Sequence, residues 1–394
     1  MTREDMEYGY RQNGIITRAV KRVIKGIKGC DFGLLVIVLF LIAFGLVMIY
    51  SSSYYNAAKY YNDPMLFVKA QFKNFLLGLV LMFMVMSVDY HIYIKKFFKF
   101  PLIFWGILFC IGLQALVLVM GETTGGATRW IPIGSYQFQP SELSKIVIII
   151  YMAFVVQKNT RRLDKVTGFI LCIFWTLPII GLVVKENLST AIIMVAIVGV
   201  ICFVASRKIV YFVTALGAAA AMVYVFITNV SFRGGRIEAW LDVENHPKGY
   251  QTLQSLYAIA DGGLFGKGLG GSIQKLGYIP EVHNDMIFSI VCEELGLFGA
   301  AALIIVFALL LWRIYTVAVN AKDLYGSLIA TGVFVHIAVQ VILNIAVVTN
   351  TIPNTGIPLP FISYGGTSLI ALMIEIGLVL SVSCEVEYGK ELKG

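Results

Sequence analysis

Charge is scarce in this chain. Only 14% of its 394 residues are Asp, Glu, Lys or Arg, against about 25% in an ordinary soluble domain. Cysteine pairs placed to staple an outer loop are also lacking. The six cysteines, at 30, 110, 172, 202, 292 and 384, fall inside or at the ends of apolar runs, and no spacing suits a zinc site, so they read as packing residues. There is no internal repeat and no low-complexity segment, which favours one domain. What is abundant is apolar surface: 58% hydrophobic residues and a mean hydropathy of +0.82. This excludes an ordinary soluble protein and marks an integral membrane protein.

Apolar stretches of the length that crosses a hydrocarbon core, roughly 17 to 25 residues, recur at 33–51, 73–88, 100–120, 141–156, 167–184, 188–205, 209–230, 286–312, 326–348 and 367–384. They predict an all-α polytopic fold with about ten transmembrane helices. Basic residues cluster at the N-terminus (Arg11, Arg18, Lys21, Arg22, Lys25, Lys28) and in the turns after the second and fourth runs (Lys95, Lys96, Lys99; Lys158, Arg161, Arg162, Lys165). With Arg207, Lys208, Arg313 and Lys322 they fall on one side, which the positive-inside rule makes cytoplasmic, together with both termini. The first run has no small-residue cleavage site after it and reads as a retained helix. The formal charge of +8 then reports topology and contact with anionic membrane lipids, and nothing in it points to nucleic acid.

The organisation expected is a basic arm over 1–31, a membrane domain over 32–385 with a large outer loop at 231–285, and a cytoplasmic tail at 386–394. In the arm, Ile16, Val20, Val23, Ile24 and Ile27 take one helical face and the basic residues the other. That pattern suits a helix on the inner leaflet; a disordered basic tail is the alternative.

Four polar stretches interrupt the apolar text: 125–145, 185–190, 231–285 and 350–368. All lie outside in this topology, and each ends where a helix starts inward, so helix N-termini with free N–H groups gather on the outer side as an anion site. Pro140 suits a first helical position. Glu142 and Lys145 share a face of the helix it opens, either as functional groups or as a dipole-stabilising acid and a snorkelling lysine. Gly365 and Gly366, beside Ser363, Thr367 and Ser368, admit a phosphate or simply form a buried turn. Glu375 is either a proton-relay group or an internally paired one.

Within the outer loop, Arg233, Arg236 and Trp240 fall at helical spacing, "GYQTLQSLYAIA" (249–260) reads as a short amphipathic helix, and "GGLFGKGLGGS" (262–272) as a glycine-rich loop. Gly266, Gly268 and Gly271 match G-x-G-x-x-G without the strand and βαβ unit that a nucleotide site needs. The segment predicts a mobile flap bearing Arg233, Arg236, Lys248, Lys267 and Lys275, with Ser272 accessible from outside. It leads into "YIPEVHNDMIF", where Glu281, His283 and Asp285 stand against an apolar run. Asn284 or Asp285 could cap the next helix. Alternatively, Asp285, kept ionised by the cations, takes a proton from a hydroxyl that attacks a centre losing an anionic leaving group.

Three stretches, "RWIPIGSYQFQPSELSK", "RIEAWLDVENHPKGYQTLQSLYAIADGGLFGKGLGGSIQKLGYIPEVHNDMIFSIVCEELGL" and "NTGIPLPFISYGGTS", resemble the signature stretches of the SEDS family, which includes FtsW, RodA and SpoVE. The resemblance runs from about Asp31 to Ser383. It implies ten transmembrane helices and polymerisation of lipid II into peptidoglycan glycan strands at the outer face of the bacterial plasma membrane. It also implies a class B penicillin-binding transpeptidase and other division or sporulation membrane proteins as partners. Asp285 then corresponds to the catalytic carboxylate. Arg129, Glu142, Lys145, Lys275, Pro280, His283, Thr355, Ser363, Gly365 and Gly366 also match the family's motifs, and with the loop's Arg236 they are expected to contact substrate or support its pocket. Counter-charge for the pyrophosphate comes either from a divalent cation, Mg or Mn, held by Glu281 or Asp285, or from the basic residues alone.

The chain departs from the family pattern at Asn284 and Met286, and in "KENLST", where Asn187 and Ser189 replace an acid and a glycine and Glu186 stands next door. "GLGGSIQKLGYIPE" resembles the division and sporulation branch more than RodA. A lipid II flippase and a non-enzymatic scaffold for the transpeptidase are the rival readings; a flippase would favour broken helices and midplane charge.

Overall fold

The computed structural model describes residues 30–124, 127–134, 136–206, 213, 217, 220 and 231–386. The basic arm before residue 30, the tail after 386 and nearly all of the expected span at 209–230 lie outside the described residues. Among those described, eight helices are long and apolar enough to cross a membrane, or nine if one bent pair counts as a single span.

The spans in chain order are α1 (Phe32–Tyr61), α2 (Leu66–Ser87), α3 (Leu102–Met120) and α4 (Pro140–Asn159). The bent pair α5 (Val166–Ile173) and α6 (Leu177–Glu186) follows, then α7 (Leu188–Ala205). Two helices of the long segment over 231–285, α8 (Ser231–Leu241) and α9 (Tyr250–Gly262), precede α10 (Ile287–Asn320), α11 (Leu324–Val348) and α12 (Gly366–Ser383). Both loop helices match the spacing seen in the sequence.

Three sequence expectations need correcting. The apolar run at 167–184 is not one straight helix: α5 and α6 meet at 59°. Pro178 stands in the first turn of α6, and because proline disfavours helix at the preceding residue and lacks an N–H, it starts a helix more readily than it continues one. Nor is the fold purely helical. Strands β1 (Lys96–Phe97) and β2 (Phe100–Pro101) form a hairpin, and β3 (Glu122–Thr124), β4 (Ala127–Ile133) and β5 (Tyr136–Phe138) an antiparallel meander. Gly134, at φ 62°, makes the β4–β5 turn cheaply.

The third correction concerns the glycine-rich loop. Helix α10 breaks at Gly296 (φ 67°, ψ −169°), and the loop at 263–268 fills the break. Lys267 and Gly268 donate their N–H groups to the carbonyls of Glu293 and Glu294 at 2.9 Å, while the N–H groups of Leu297 and Phe298 donate to Gly263 and Leu264. Backbone groups freed by a kink in a membrane helix have to be satisfied by protein. The segment is therefore docked through its backbone, and a free flap does not describe it. A Cβ on Gly296 would lie 2.4 Å from the Gly266 nitrogen, so side chains on either glycine would prevent the docking.

The core gathers around α11, which packs against α4, α7, α10 and α12. Helix α12 in turn packs closely on α2 where side chains are small: Gly377 of α12 faces the Met82 carbonyl of α2, and Gly78 of α2 faces Met373 of α12.

Candidate functional site

The segment from Tyr278 to Met286 lies between α9, the N-terminus of α10 and the irregular loop that joins α11 to α12. Asp285 does not cap α10. The helix starts after Met286 with no side-chain cap, and Asn284 gives its amide to Glu281 Oε2 at 2.9 Å instead. The capping reading therefore fails at both positions. Asp285 Oδ1 accepts from Gln251 Nε2 of α9 at 3.3 Å, and a Cβ on Gly356 would sit 3.9 Å from Oδ2. Gly356 has φ 68°, where any side chain is strained and its Cβ would touch the Asp285 carboxylate.

Burial raises the Asp285 carboxyl to about 6, with Glu281 pushing the same way, while its own backbone N–H, Gln251 and the charge of Arg236 pull it down. That places a carboxylate base close to neutral pH. His283 behaves oppositely: burial pushes it down to about 4. Its ring lies 4.2 Å from that of Phe67 and 5.5 Å from that of Tyr364, and its Nδ1 is buried without a partner. As a base it is weaker than Asp285, and its neutral ring is one wall of an aromatic cluster. A half-open cleft of about 450 Å³ runs beside it, lined by Asn56, Tyr60, Tyr61, Phe67, Glu281 and Asn284 among others. Asp285 faces Gln251 and Gly356 on the adjoining side rather than the cleft wall.

The α11–α12 loop is held by side chains that sequence reasoning passed over. Asn344, fully buried on α11, donates to the carbonyls of Asp285 and Ile357, both at 2.8 Å. Gln71 of α2 donates to the Ser363 carbonyl and accepts from Gly365 N–H. Asn74 lies 3.0 Å from where a Gly366 Cβ would stand. Ser363 Oγ accepts from Leu359 N–H at 2.8 Å, and Ser189 Oγ reaches the Thr355 carbonyl at 3.5 Å. The Thr355 hydroxyl is buried without a partner. Glu281 and Phe361 hold positive φ, 47° and 63°, a strain of about 1–3 kcal/mol each that a locked surround sustains. Polar residues in apolar helices were the missed signal: Gln71, Asn74 and Asn344 interrupt runs that need no amide.

Several expected contact residues sit elsewhere. Lys275 is buried against Glu294 Oε1 at 2.7 Å and Ser51 Oγ at 3.0 Å, pinning the 231–285 segment to α1 and α10. Glu293 beside it takes the Ser272 hydroxyl at 2.5 Å and the Ile273 N–H at 2.8 Å, so Ser272 is 3% exposed and not the accessible position expected. Lys267 pairs with Asp261. Lys145 does not snorkel: it is 2% exposed and lies 2.9 Å from Glu142 and 2.8 Å from His336 Nε2. His336 in turn meets Glu375 at 2.6 Å, so Glu375 is internally paired. Arg129 is on β4, half-buried. Gathered around Asp285 are thus Gln251, Arg236, Gly356 and Asn344.

The model of the FtsW/RodA/SpoVE cell cycle protein family matches residues 32–388. The chain belongs to this family. Among SEDS relatives, it is 38% identical to a probable peptidoglycan glycosyltransferase FtsW of Geobacter sp. (strain M18), across 91% of this chain and 98% of that protein. It is also 38% identical to stage V sporulation protein E of Bacillus subtilis (strain 168), across 90% and 96%. A chain solved in work on the structural coordination of polymerization and crosslinking by a peptidoglycan synthase complex superposes with a TM-score of 0.76 at 28% identity, covering 91% of this chain and 99% of its own length. The SEDS fold and its run of apolar helices make this a multi-pass membrane protein.

Proposed function

We propose that this chain is a peptidoglycan glycosyltransferase that polymerises lipid II into glycan strands, in division or sporulation, at the outer face of the bacterial plasma membrane. The observation that carries this reading is the Asp285 carboxylate. It caps nothing, its pKa is drawn up toward neutrality, and it is faced by Gln251, Arg236 and a glycine that leaves it room.

In this mechanism the ionised Asp285 takes the proton of the GlcNAc 4-hydroxyl of one chain. The hydroxyl oxygen bonds to the MurNAc anomeric carbon of the other, and the bond to the pyrophosphate oxygen breaks with its electron pair, releasing undecaprenyl pyrophosphate. Gln251 orients the base, and Arg236 supplies positive charge. Phe67, His283 and Tyr364 offer broad amphipathic faces for the saccharide side of the substrate.

Glu281 and Asp285 are two carboxylates of the kind that hold a Mg or Mn ion together with substrate phosphates, and such an ion would supply counter-charge to the leaving group. Among the described residues, the three-residue group whose ligand atoms converge lies elsewhere, at Asp89, His91 and Glu385, so substrate oxygens would complete the coordination. A class B penicillin-binding transpeptidase is the expected partner, in keeping with the synthase complex that shares the fold.

A flippase would use broken helices to hold its cargo; the break in α10 is filled by the chain's own loop, the bend between α5 and α6 carries none of the candidate site residues, and the groups gathered around Asp285 support the transferase. The test is glycan-strand formation from purified lipid II in liposomes, with and without the cognate transpeptidase. Polymer from the wild type and none from a folded Asp285→Asn variant is the expected result. Polymer from both moves the base elsewhere, and polymer from neither with the partner present rejects the reading.

A further inference from the structure

Between α2 and α3 the chain makes a short β-hairpin that the candidate site leaves unused. Lys96 pairs with Pro101 and Phe97 with Phe100 across β1 and β2, which leaves Phe98 and Lys99 as a two-residue turn. Phe98 takes φ 58°, a conformation that hairpin turns ordinarily give to glycine or asparagine. It is also 83% exposed, with Phe97 at 56% and Phe100 at 48%. Three neighbouring phenylalanines gain nothing from water, and their contiguity marks a surface that something covers.

The placement of the hairpin says what covers it. Pro101 ends β2 and is followed directly by Leu102, the first residue of the α3 span, so the hairpin stands where the span meets the headgroups. Along α3, Ile103, Ile107 and Cys110 are buried in the bundle, while Leu102, Trp105 and Phe109 face outward toward lipid. The Trp105 indole donates to the Phe97 carbonyl at 3.3 Å, so the hairpin folds back over the lipid side of the helix. Phe100 stacks on Phe104 with centroids 5.0 Å apart, and Phe104 meets Trp175 at the α5–α6 bend at 5.2 Å, which holds the hairpin there. Aromatic rings at the boundary with basic side chains beside them suit a membrane-interface anchor. The charge of Lys95 bears on Asp89, whereas Lys96 and Lys99 are exposed and have no ion-pair partner among the described residues.

We propose that this hairpin is a binding site for an anionic phospholipid, with Phe97, Phe98 and Phe100 against the upper acyl chains and Lys96 and Lys99 on the phosphate. The net charge of +8 implies only a general attraction to anionic lipid; the hairpin is the place where aromatic faces and two unpaired ammonium groups meet the same molecule. The proposal holds for either orientation in the membrane, and whether or not the chain is a transferase.

The test places a tryptophan at the tip, Phe98→Trp, in the purified full-length protein reconstituted in vesicles, and reads its fluorescence as the difference from the wild type. Phosphatidylcholine brominated in its acyl chains should quench the added tryptophan, and aqueous iodide should not. Quenching by iodide alone places the tip in water, and quenching by neither places it under protein; each overturns the site. Brominated phosphatidylglycerol should then quench at a lower mole fraction than brominated phosphatidylcholine, by about fivefold for each lysine engaged. Lys96→Gln with Lys99→Gln should abolish that preference. Ile305→Trp, at an outward position midway along α10 that is 59% exposed, is the control. An equal preference there, or one that survives the loss of both lysines, shows a general anionic shell and overturns the proposal.

Discussion

Asn344 and Asp285 are joined through the backbone: the Asn344 amide donates to the Asp285 carbonyl at 2.8 Å and, with its other hydrogen, to that of Ile357 at 2.8 Å. One side chain on α11 therefore sets the distance between the candidate base and the loop that carries Gly356. Asn344→Ala leaves two buried carbonyls without donors, at about 1–3 kcal/mol each. The expected outcome is a lower Tm and a kcat reduced by about 10- to 100-fold with KM less affected, and Asn344→Asp, which donates nothing when ionised, rescues neither.

If Asp285 is the base, polymerisation depends on its ionised form. Its carboxyl is raised to about 6, so kcat/KM should fall about tenfold per pH unit below about 6 and level off above it. A rate profile across pH 5 to 8 checks this, and a rate that stays flat down to pH 5, as a carboxylate of ordinary pKa about 4 would give, would contradict it.

The kink in α10 makes a prediction about folding. Gly296→Ala places a Cβ 2.4 Å from the Gly266 nitrogen at φ 67°, so the loop at 263–268 must undock or the helix must straighten. Thermal unfolding in detergent should report a loss of about 3 kcal/mol or more, beyond the usual range for a point change. A neutral result would show that the docked loop contributes little.

Lys275 and Glu294 form a buried pair, and removing one partner strands the other. Lys275→Met should cost about 3–5 kcal/mol, while Lys275→Met with Glu294→Gln should recover much of that loss. Equal losses in the single and double variants would show that Lys275 acts elsewhere.

Orientation is open to chemical labelling. Ser272 is shielded by Glu293, so a cysteine there tests burial as much as topology. Leu269, 61% exposed in the same loop, is the better position. Its cysteine variant should react with an impermeant reagent on intact cells, and protection would reverse the outer-face assignment.

Much of this was legible in the residues themselves. Periodicity and length marked the helices around the site, and helical spacing marked α8 and α9 inside the segment 231–285, because a lipid or aqueous surround imposes its pattern on each helix locally. The resemblance of the motif stretches pointed to Asp285. It did not reveal that Lys275 and Lys145 are spent on internal partners, Glu294 and Ser51 for one and Glu142 and His336 for the other, since a lysine reads the same whether it waits for a phosphate or neutralises a carboxylate of its own chain.

What the sequence determined by itself was thus the solvent: apolar runs of bilayer length and basic turns between them make a membrane protein, whatever the packing. Tertiary structure alone decided which polar groups are free. Glu293 and Glu294 look like any acidic pair until Ser272 and Lys275 meet them. Gly296 is unremarked in the sequence until a loop of the same chain fills the break it opens. Inside a bilayer each polar atom must find a partner within the fold, and the identity of that partner depends on contacts between distant segments that no local pattern records.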